Sequence, residues 1–248
     1  MRALALLLML AGAAGTVAAE RPATLPDTME QRVLACASCH ARPDRNDAFF
    51  PRISGKPAGY LYNQLVNFKT GARQFPMMTY MVSHLPDAYL REIAEHFSQQ
   101  HLPPLPAPQA PLPAAVMERG RVLATQGDRA IGVPACIACH GKALAGVAPA
   151  IPGLAGLPRD YVNAQFGAWK NKVRRAHAPD CMAAVANQLS QDDIHAATSW
   201  LAAQAPPADA HPAQALPPLQ PGARAIACGS TPLPRPTSAT SATSGVRP

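Results

Sequence analysis

The chain has 248 residues and a formal net charge of +7, from 22 Lys and Arg against 15 Asp and Glu. This length is sufficient for two domains of ordinary size. The positive charge does not indicate nucleic-acid binding, because no cluster of Lys and Arg resembles a phosphate-binding stripe. Aromatic residues make up only 5% of the chain, which is little for a well-packed apolar core in each of two domains.

The first twenty residues have the features of an export signal. Arg2 supplies a positive charge, residues 3–10 are apolar, and the small residues 17–19 (VAA) form a cleavage site. We therefore expect residues 1–19 to be a signal peptide and the mature chain to begin at Glu20. A membrane anchor is the alternative, but the apolar run is shorter than the ~20 residues that a span needs. The prediction is a periplasmic protein with no transmembrane segment after signal cleavage.

Proline-rich stretches divide the rest of the chain. Residues 101–113 (HLPPLPAPQAPLP) predict a stiff, partly polyproline linker. Residues 206–248 are rich in Pro, Ala, Ser and Thr, and predict a disordered tail. Between these stretches, we predict one domain over residues 20–100 and a second over residues 114–205.

These two segments are repeats of each other, with similar residues at an offset of 101 and, later, of 104. Two domains of one fold explain this better than chance does. The matching positions are residues 51–55 (PRISG) with 152–156 (PGLAG), Tyr60 with Tyr161, Gln64 with Gln165, and Met78 with Met182.

Both repeats have helical periodicity and no convincing polar–apolar alternation, which predicts an all-α fold. Residues 60–70, closed by Gly71, and residues 161–170 predict one helix in each repeat. Apolar residues at i, i+3, i+4 and i+7 predict the final helix of each repeat, with Ser190 as the N-cap of the second. These residues are Leu90, Ile93, Ala94 and Phe97, and then Ile194, Ala197, Thr198 and Leu201.

The strongest chemical signal is Cys-x-x-Cys-His, present as residues 36–40 (CASCH) and 136–140 (CIACH). Thiols three positions apart can add to both vinyl groups of one porphyrin, and the next His can bind its iron. Cys-x-x-Cys also occurs in thioredoxin-like and zinc sites, but two copies with the adjacent His in an exported chain favour two covalently attached haem c groups. The predicted attachment residues are Cys36, Cys39, Cys136 and Cys139, and the predicted iron ligands are His40 and His140.

The sixth ligand decides whether an iron binds substrate or only carries electrons. Met78 and Met182 are the predicted ligands, because each stands seven residues before a Leu that precedes the final helix of its repeat. Met77 and Met81 compete with Met78, but neither shares its register with Met182. Spare histidines could provide a bis-His haem, although none recurs at a common register.

A haem-ligating His normally donates its other ring N–H to a fixed acceptor. Pro51 and Pro152 follow the two histidines at 11 and 12 residues, and we expect their carbonyls to be these acceptors. Ordinary turn prolines are the alternative, but the repetition favours the acceptor.

Cys181 and Cys228 lie outside the haem motifs. In an exported protein, a leftover pair most often forms a disulfide, which would join the tail to the segment that carries Met182. The alternative is that Cys181 itself ligates the second iron, but the shared register of the methionines argues against it.

The motifs above, each given twice, resemble those of the dihaem cytochrome c4 family over about residues 28–204. The resemblance implies two tandem class I cytochrome c domains, each a small helical wrap around one low-spin His/Met haem. It also implies that the two haems face each other across the domain interface. Family members serve as periplasmic carriers, often to a terminal oxidase.

The first repeat departs from the family pattern at two places. Residues 41–44 (ARPD) replace the usual Gly-rich turn after the His. Met29 stands where a small Gly would cross the final helix, whereas the second repeat has such a residue at Gly120, which could face Trp200.

A Gly-x-Arg element of the family is present as residues 71–73 (GAR), but the match at residues 171–175 (NKVRR) is loose. Lys172, Arg174 and Arg175 in that segment form the densest basic run. They predict either a solvated loop or a patch that steers a redox partner.

The predicted function is electron transfer between periplasmic or membrane-bound redox proteins, with no catalytic residue and with the protein as a monomer. The alternatives are the cytochrome subunit of a periplasmic dehydrogenase and a dihaem enzyme that oxidises a sulfur compound. A peroxidase would need one open iron, which two methionines in register argue against.

Overall fold

The computed structural model describes residues 26–103, 105, 112–207, 210–218 and 226–231. The predicted signal peptide and much of the predicted linker lie outside these residues. The helices of the first repeat are α1 (Met29–Arg32), α2 (Leu34–His40), α3 (Ala58–Lys69), α4 (Pro76–Val82) and α5 (Asp87–Ser98). Those of the second are α6 (Ala114–Thr125), α7 (Cys136–His140), α8 (Arg159–Lys170), α9 (Cys181–Gln188) and α10 (Gln191–Ala203). None of the helices described here combines the length and apolar character that crossing a membrane requires.

The all-α prediction is confirmed, with one small hairpin that the sequence did not reveal. Strands β1 (Gly146–Val147) and β2 (Ile151–Pro152) pair in antiparallel fashion. Gly146 has φ +98, and a Cβ at this position would lie 2.6 Å from the Ile151 carbonyl oxygen. Strands of two residues are too short for alternation to show in a sequence. The hairpin places Pro152 beside the second haem motif.

Helix α5 supplies the core of the first repeat by packing on α3. Its apolar stripe is buried as predicted, with Phe97 fully enclosed and Leu90 only 1% exposed. Helix α3 ends at Lys69, and Gly71 follows with φ +74, the left-handed conformation that glycine adopts after a helix.

The second repeat is built on the crossing of α6 and α10. Gly120 makes this close approach possible, because a Cβ there would lie 2.6 Å from Cβ of Trp200 and would also strike the Ala196 carbonyl. Ser190 caps α10 as predicted: its hydroxyl accepts from the Asp193 N–H at 3.0 Å, and the Asp193 carboxylate accepts from the Ser190 N–H at 3.2 Å. This reciprocal pair is a capping box.

The N-terminal helix of the first repeat is shorter than that of the second. Helix α1 has four residues and begins at the Thr28 cap. Met29 packs against the cluster around Phe97, where a glycine would allow a closer crossing. The long thioether side chain fills this space instead of letting the backbones meet.

Two stretches of the tail that the sequence predicts to be disordered have hydrogen-bonding partners in the structure. Residues 210–218 and 226–231 are described and packed on the second repeat. The Ala213 N–H donates to the Gly146 carbonyl at 3.0 Å, which extends the edge of the hairpin. Composition predicts disorder for a chain without partners, and these stretches find hydrogen-bonding groups that offset their loss of entropy.

Candidate haem sites

The first histidine is held in one tautomer by a backbone carbonyl. His40 ends α2, and its Nδ1 lies 2.9 Å from the carbonyl oxygen of Pro51. Because a carbonyl can only accept, Nδ1 carries the proton and the Nε2 lone pair is free for a metal. Burial lowers the pKa of His40, which favours the neutral imidazole that binds iron.

The second histidine repeats this arrangement. His140 ends α7, and its Nδ1 donates to the carbonyl of Pro152 over 2.7 Å. Burial also lowers the pKa of His140. Both predicted carbonyl acceptors are therefore confirmed, and the β-hairpin explains how the second is positioned.

Short helices display the paired thiols. Cys36 and Cys39 lie one helical turn apart on α2, and Cys136 and Cys139 lie likewise on α7. All four are free cysteines. Burial raises the pKa of Cys136 to about 11 and also raises that of Cys36, so both remain protonated thiols at neutral pH.

A cavity of about 550 Å³ opens beside the first motif. Both thiols of that motif, His40 and Met78 line it. Met77 and Met81 line it too, so the cavity does not by itself choose among the three methionines, although Met77 is 55% exposed. Of the histidines in the described residues, only His40 lines this cavity, which disfavours a bis-His haem there.

Met182 is partly buried against the core of the second repeat, which includes Tyr161 and Phe166. It lies in the first turn of α9, whose N-cap Asp180 accepts hydrogen bonds from the N–H of Ala183 (3.0 Å) and of Ala176 (2.7 Å). These bonds define the position of the segment that carries the thioether.

Cys181, the neighbour of Met182, is bonded to Cys228. The predicted disulfide is thus confirmed, with the two Cα atoms 4.9 Å apart. The Cys181 sulfur is consequently engaged and not free as a thiolate ligand for the second iron.

Two arginines join the repeats between these sites. Arg73 donates to Gln64 of its own repeat at 2.9 Å and to Gln165 of the other at 2.7 Å. Arg174 mirrors it, donating to Gln165 at 2.7 Å and to Gln64 at 3.1 Å. Arg73 also donates to the Tyr161 hydroxyl at 3.2 Å. Two guanidinium groups and two side-chain amides therefore form a hydrogen-bond network across the boundary between the repeats.

This hydrogen-bond network corrects the interpretation of the basic run formed by Lys172, Arg174 and Arg175. Arg174 is only 7% exposed, so it belongs neither to a solvated loop nor to a surface patch. Lys172 and Arg175, its neighbours, are exposed. The loose motif match concealed that Arg174 stands at the repeat offset of 101 from Arg73, which was the signal that could have identified it.

Three cations at the cavity, of which Arg174 is buried and the other two are half-buried, fit a cofactor that carries carboxylates. Arg73, Arg174 and Lys56 all line the cavity, and no ion pair to Asp or Glu is formed by them within the described part of the chain. Burial lowers the pKa of Lys56. Burial opposes ionisation of the Tyr161 phenol, but Arg73 and Arg174 outweigh it and lower its pKa to about 8. A porphyrin with propionate groups would supply the missing negative charge.

No protein-family model matches the chain. Two relatives are similar over most of their length. The chain is 37% identical over 172 residues to a thiosulfate dehydrogenase electron acceptor of Thiomonas intermedia, covering 68% of this chain and 78% of that protein. It is 31% identical over 183 residues to a cytochrome c4 of Azotobacter vinelandii, covering 68% and 84%.

Two solved structures share the fold. Cytochrome c4 from Pseudomonas stutzeri has a TM-score of 0.58 and 29% identity, over 71% of this chain and 96% of that chain. Thiosulfate dehydrogenase (TsdBA) from Marichromatium purpuratum has a TM-score of 0.57 and 31% identity over 68% of this chain. The match spans only 36% of the TsdBA chain, about a third of its length.

Proposed function

This chain belongs to the dihaem cytochrome c4 family, and on that premise we propose that it is a periplasmic carrier that accepts electrons released by thiosulfate oxidation. It is an electron-transfer protein with two covalently attached haem c groups and not an enzyme.

The proposed donor rests on one observation. Proteins named thiosulfate dehydrogenase electron acceptor are 37% and 34% identical to the chain, whereas cytochromes c4 are 31% and 29% identical over similar coverage. The fold and the paired motifs suit either name, so the higher identities favour the acceptor.

We further propose that thioether bonds form at the four motif cysteines and that His40 with Met78, and His140 with Met182, are the axial ligands. When bound, each haem supplies a one-electron ferric–ferrous couple. The carbonyls of Pro51 and Pro152 orient the two imidazoles through hydrogen bonds of 2.9 and 2.7 Å. A thioether in the sixth position leaves no vacancy for a substrate and raises the reduction potential.

The finer features of organisation remain predictions. The proposed domains are residues 20–100 and 114–205, and the described helices of the two repeats fall within these limits. A monomer and delivery of electrons to a terminal oxidase are proposed as well. Size-exclusion chromatography of the haem-loaded protein checks the first, and reduced-minus-oxidised spectra with membranes check the second.

A second candidate role is a subunit of a dehydrogenase complex. The TsdBA match favours it, because there the similar region is part of a longer chain. Haem ligation would be identical in both roles, and stable co-purification with a partner from the source cells would distinguish them.

The test of the proposed function is reduction by a thiosulfate dehydrogenase. The oxidised full-length protein, mixed with catalytic amounts of that enzyme and with thiosulfate, should develop the visible bands of ferrous haem c. Thiosulfate without enzyme is the control. If ascorbate reduces the protein while enzyme and thiosulfate together leave it oxidised, the proposed donor is wrong.

A further inference from the structure

The two methionine segments correspond residue by residue, yet their surroundings differ. Alignment on Met78 and Met182 places Met77 opposite Cys181, and Phe75 opposite Pro179. In the first repeat, Met77 is 55% exposed and Phe75 is 38% exposed. In the second repeat, both counterpart positions are bound by the tail.

We call residues 226–231 the strap. Cys228 holds it to Cys181 through the disulfide, and the Gly229 N–H donates to the Pro179 carbonyl at 2.9 Å. The strap lies so close that a Cβ on Gly229 would strike the Ala178 carbonyl. The positions that correspond to Phe75 and Met77 are therefore joined to the strap in the second repeat.

The strap also reaches the first repeat. Nδ2 of Asn63, on α3, donates to the Ser230 carbonyl at 3.3 Å. Cys228 is thus covalently bound to α9, and Ser230, two residues further along the strap, is hydrogen-bonded across the boundary. Two anchors on different repeats hold the strap over the second methionine segment.

The first repeat, together with Val173 of the second, presents apolar side chains at the corresponding place. Phe49, Phe75, Met77 and Val173 line the cavity and are also exposed, so they form its rim. Phe49 is 70% exposed, whereas its counterpart at the offset of 101, Ala150, is small and only 7% exposed. Clustered exposed apolar side chains of this size indicate an interaction site.

Positive charge borders this rim on one side. Lys172 and Arg175 flank Val173 and are exposed. Neither forms a side-chain ion pair within the described residues. An apolar centre beside uncompensated cations is complementary to an apolar partner surface bordered by carboxylates, and such charges accelerate association.

We propose that this rim (Phe49, Phe75, Met77 and Val173, with Lys172 and Arg175) is the docking surface for the electron donor, and that the strap closes the equivalent surface of the second repeat. The proposal rests on the proposed function and specifies its partner as a redox protein whose apolar contact surface is bordered by carboxylates. Electrons then enter through the first repeat. Electron-transfer encounters of this kind are small and transient, which suits a rim of a few side chains.

The test follows the reduction of the oxidised, haem-loaded, full-length protein by a thiosulfate dehydrogenase kept reduced with thiosulfate, in a stopped-flow instrument. The double substitution Lys172→Glu with Arg175→Glu should lower the second-order rate constant roughly tenfold at low salt and weaken or invert its salt dependence. The double substitution Phe49→Ser with Met77→Ser should lower the rate by a similar factor while leaving the salt dependence intact. The ferrous spectrum and the rate of reduction by ascorbate verify that the haems are unaffected.

The matched control is Lys142→Glu, an exposed charge reversal next to the second haem motif. It should leave the rate within about twofold of the wild type, because Lys142 does not belong to the rim. If the rim variants react as fast as the wild type, or if Lys142→Glu slows the reaction as much as they do, the docking surface is wrong while the proposed function stands. If the enzyme does not reduce the wild type at all, the proposed function is wrong, and the proposed docking surface, which depends on it, is wrong too.

Discussion

Arg73 and Arg174 form an antiparallel backbone bridge, and each guanidinium group donates to a glutamine of both repeats. The Gln74 N–H donates to the Val173 carbonyl at 2.8 Å, and the Arg175 N–H to the Ala72 carbonyl at 2.7 Å. The two repeats are thus related by an approximate twofold axis, with the arginines nearest to it. Identical residues serve both sides because the repeats meet through the same surface.

The substitution Arg174→Gln should therefore weaken the boundary. It removes two hydrogen bonds from a charged donor, and we expect the free energy of unfolding to fall by about 2–4 kcal/mol. Loss of a buried positive charge should also lower the reduction potential of the nearer haem, because the ferric state becomes easier to form. Urea denaturation and a spectroelectrochemical titration measure the two effects.

The matched control for this experiment is Arg121→Gln, which removes an exposed arginine paired with Glu118 on α6. Its effect on unfolding should be below about 0.5 kcal/mol, with no change in potential. Equal effects of the two substitutions would contradict the conclusion that the hydrogen-bond network stabilises the boundary between the repeats.

Met78→Ala and Met182→Ala should each abolish half of the near-infrared absorption band that marks Met-ligated ferric haem. Each should also let carbon monoxide bind to one reduced haem, because the sixth position becomes open. Met77→Ala is the control and should keep the full band. Retention of the full band in Met78→Ala, with its loss in Met77→Ala, would move the first ligand by one residue.

Gly120→Ala should destabilise the second repeat, because the new methyl group would lie 2.6 Å from Cβ of Trp200 and would strike the Ala196 carbonyl. We expect a loss of about 1–3 kcal/mol or more, since backbone atoms must move. Gly167→Ala, on α8, is the control, because a Cβ added there would have nothing within 4 Å apart from its chain neighbours and the backbone of its own helix. It should be neutral or stabilising by about 0.5–1 kcal/mol. Thermal denaturation of both variants measures the contrast, and similar melting temperatures would contradict it.

Asp193 should make stability depend on pH in the acid range. Burial raises the pKa of its carboxyl, but hydrogen bonds from Ser190 and Arg119 outweigh this and hold the pKa below the usual 3.8. Because the folded-state pKa is the lower one, the stabilisation is present above about pH 4 and disappears as the pH falls through the folded-state value.

Asp193→Asn should accordingly reduce the free energy of unfolding at pH 7 by about 1 kcal/mol and should flatten its decline below pH 4. The exposed neighbour Asp192 provides the control substitution Asp192→Asn. Denaturant titrations at a series of pH values test the prediction, which fails if the difference between wild type and Asp193→Asn is the same at pH 3 as at pH 7.

Cys228→Ser should release the strap from α9. The disulfide joins residues separated by 47 positions, and its loss should reduce the free energy of unfolding by about 2–5 kcal/mol. Ser230→Ala leaves the covalent link intact and should have little effect. Reduction of the wild type should reproduce the effect of Cys228→Ser, since thioether bonds to haem resist thiol reductants. An unchanged denaturation midpoint in both cases would show that the link does not contribute to stability.

Features that depend on neighbouring residues were predictable from the sequence. Each Cys-x-x-Cys-His motif needs only one helical turn to align its thiols, and the carbonyl acceptors follow within 12 residues. The apolar stripe of α5 and the Ser190 cap of α10 also follow from local periodicity and local hydrogen bonding. These elements appear where they were predicted, because the interactions that define them involve residues close in the chain.

Other features depend on which surfaces meet, and these were missed. The sequence shows Arg174 as one of three cations in a loop, and only the pairing of the repeats buries it against Gln64 and Gln165. Likewise, the composition of the tail indicates disorder, and only the free edge of the hairpin gives residues 210–218 partners, whereas the link from Cys228 to Cys181 was expected from the sequence.

The sequence by itself determined the chemistry of this protein: the attachment of haem and the helical repeat follow from the Cys-x-x-Cys-His motifs and local periodicity. The tertiary structure alone decided that Arg174 is buried between the repeats and that residues 210–218 pair with the edge of the hairpin. The physical reason is that burial and close approach depend on two surfaces that meet in the folded protein. The order of residues along the chain does not show which surfaces meet.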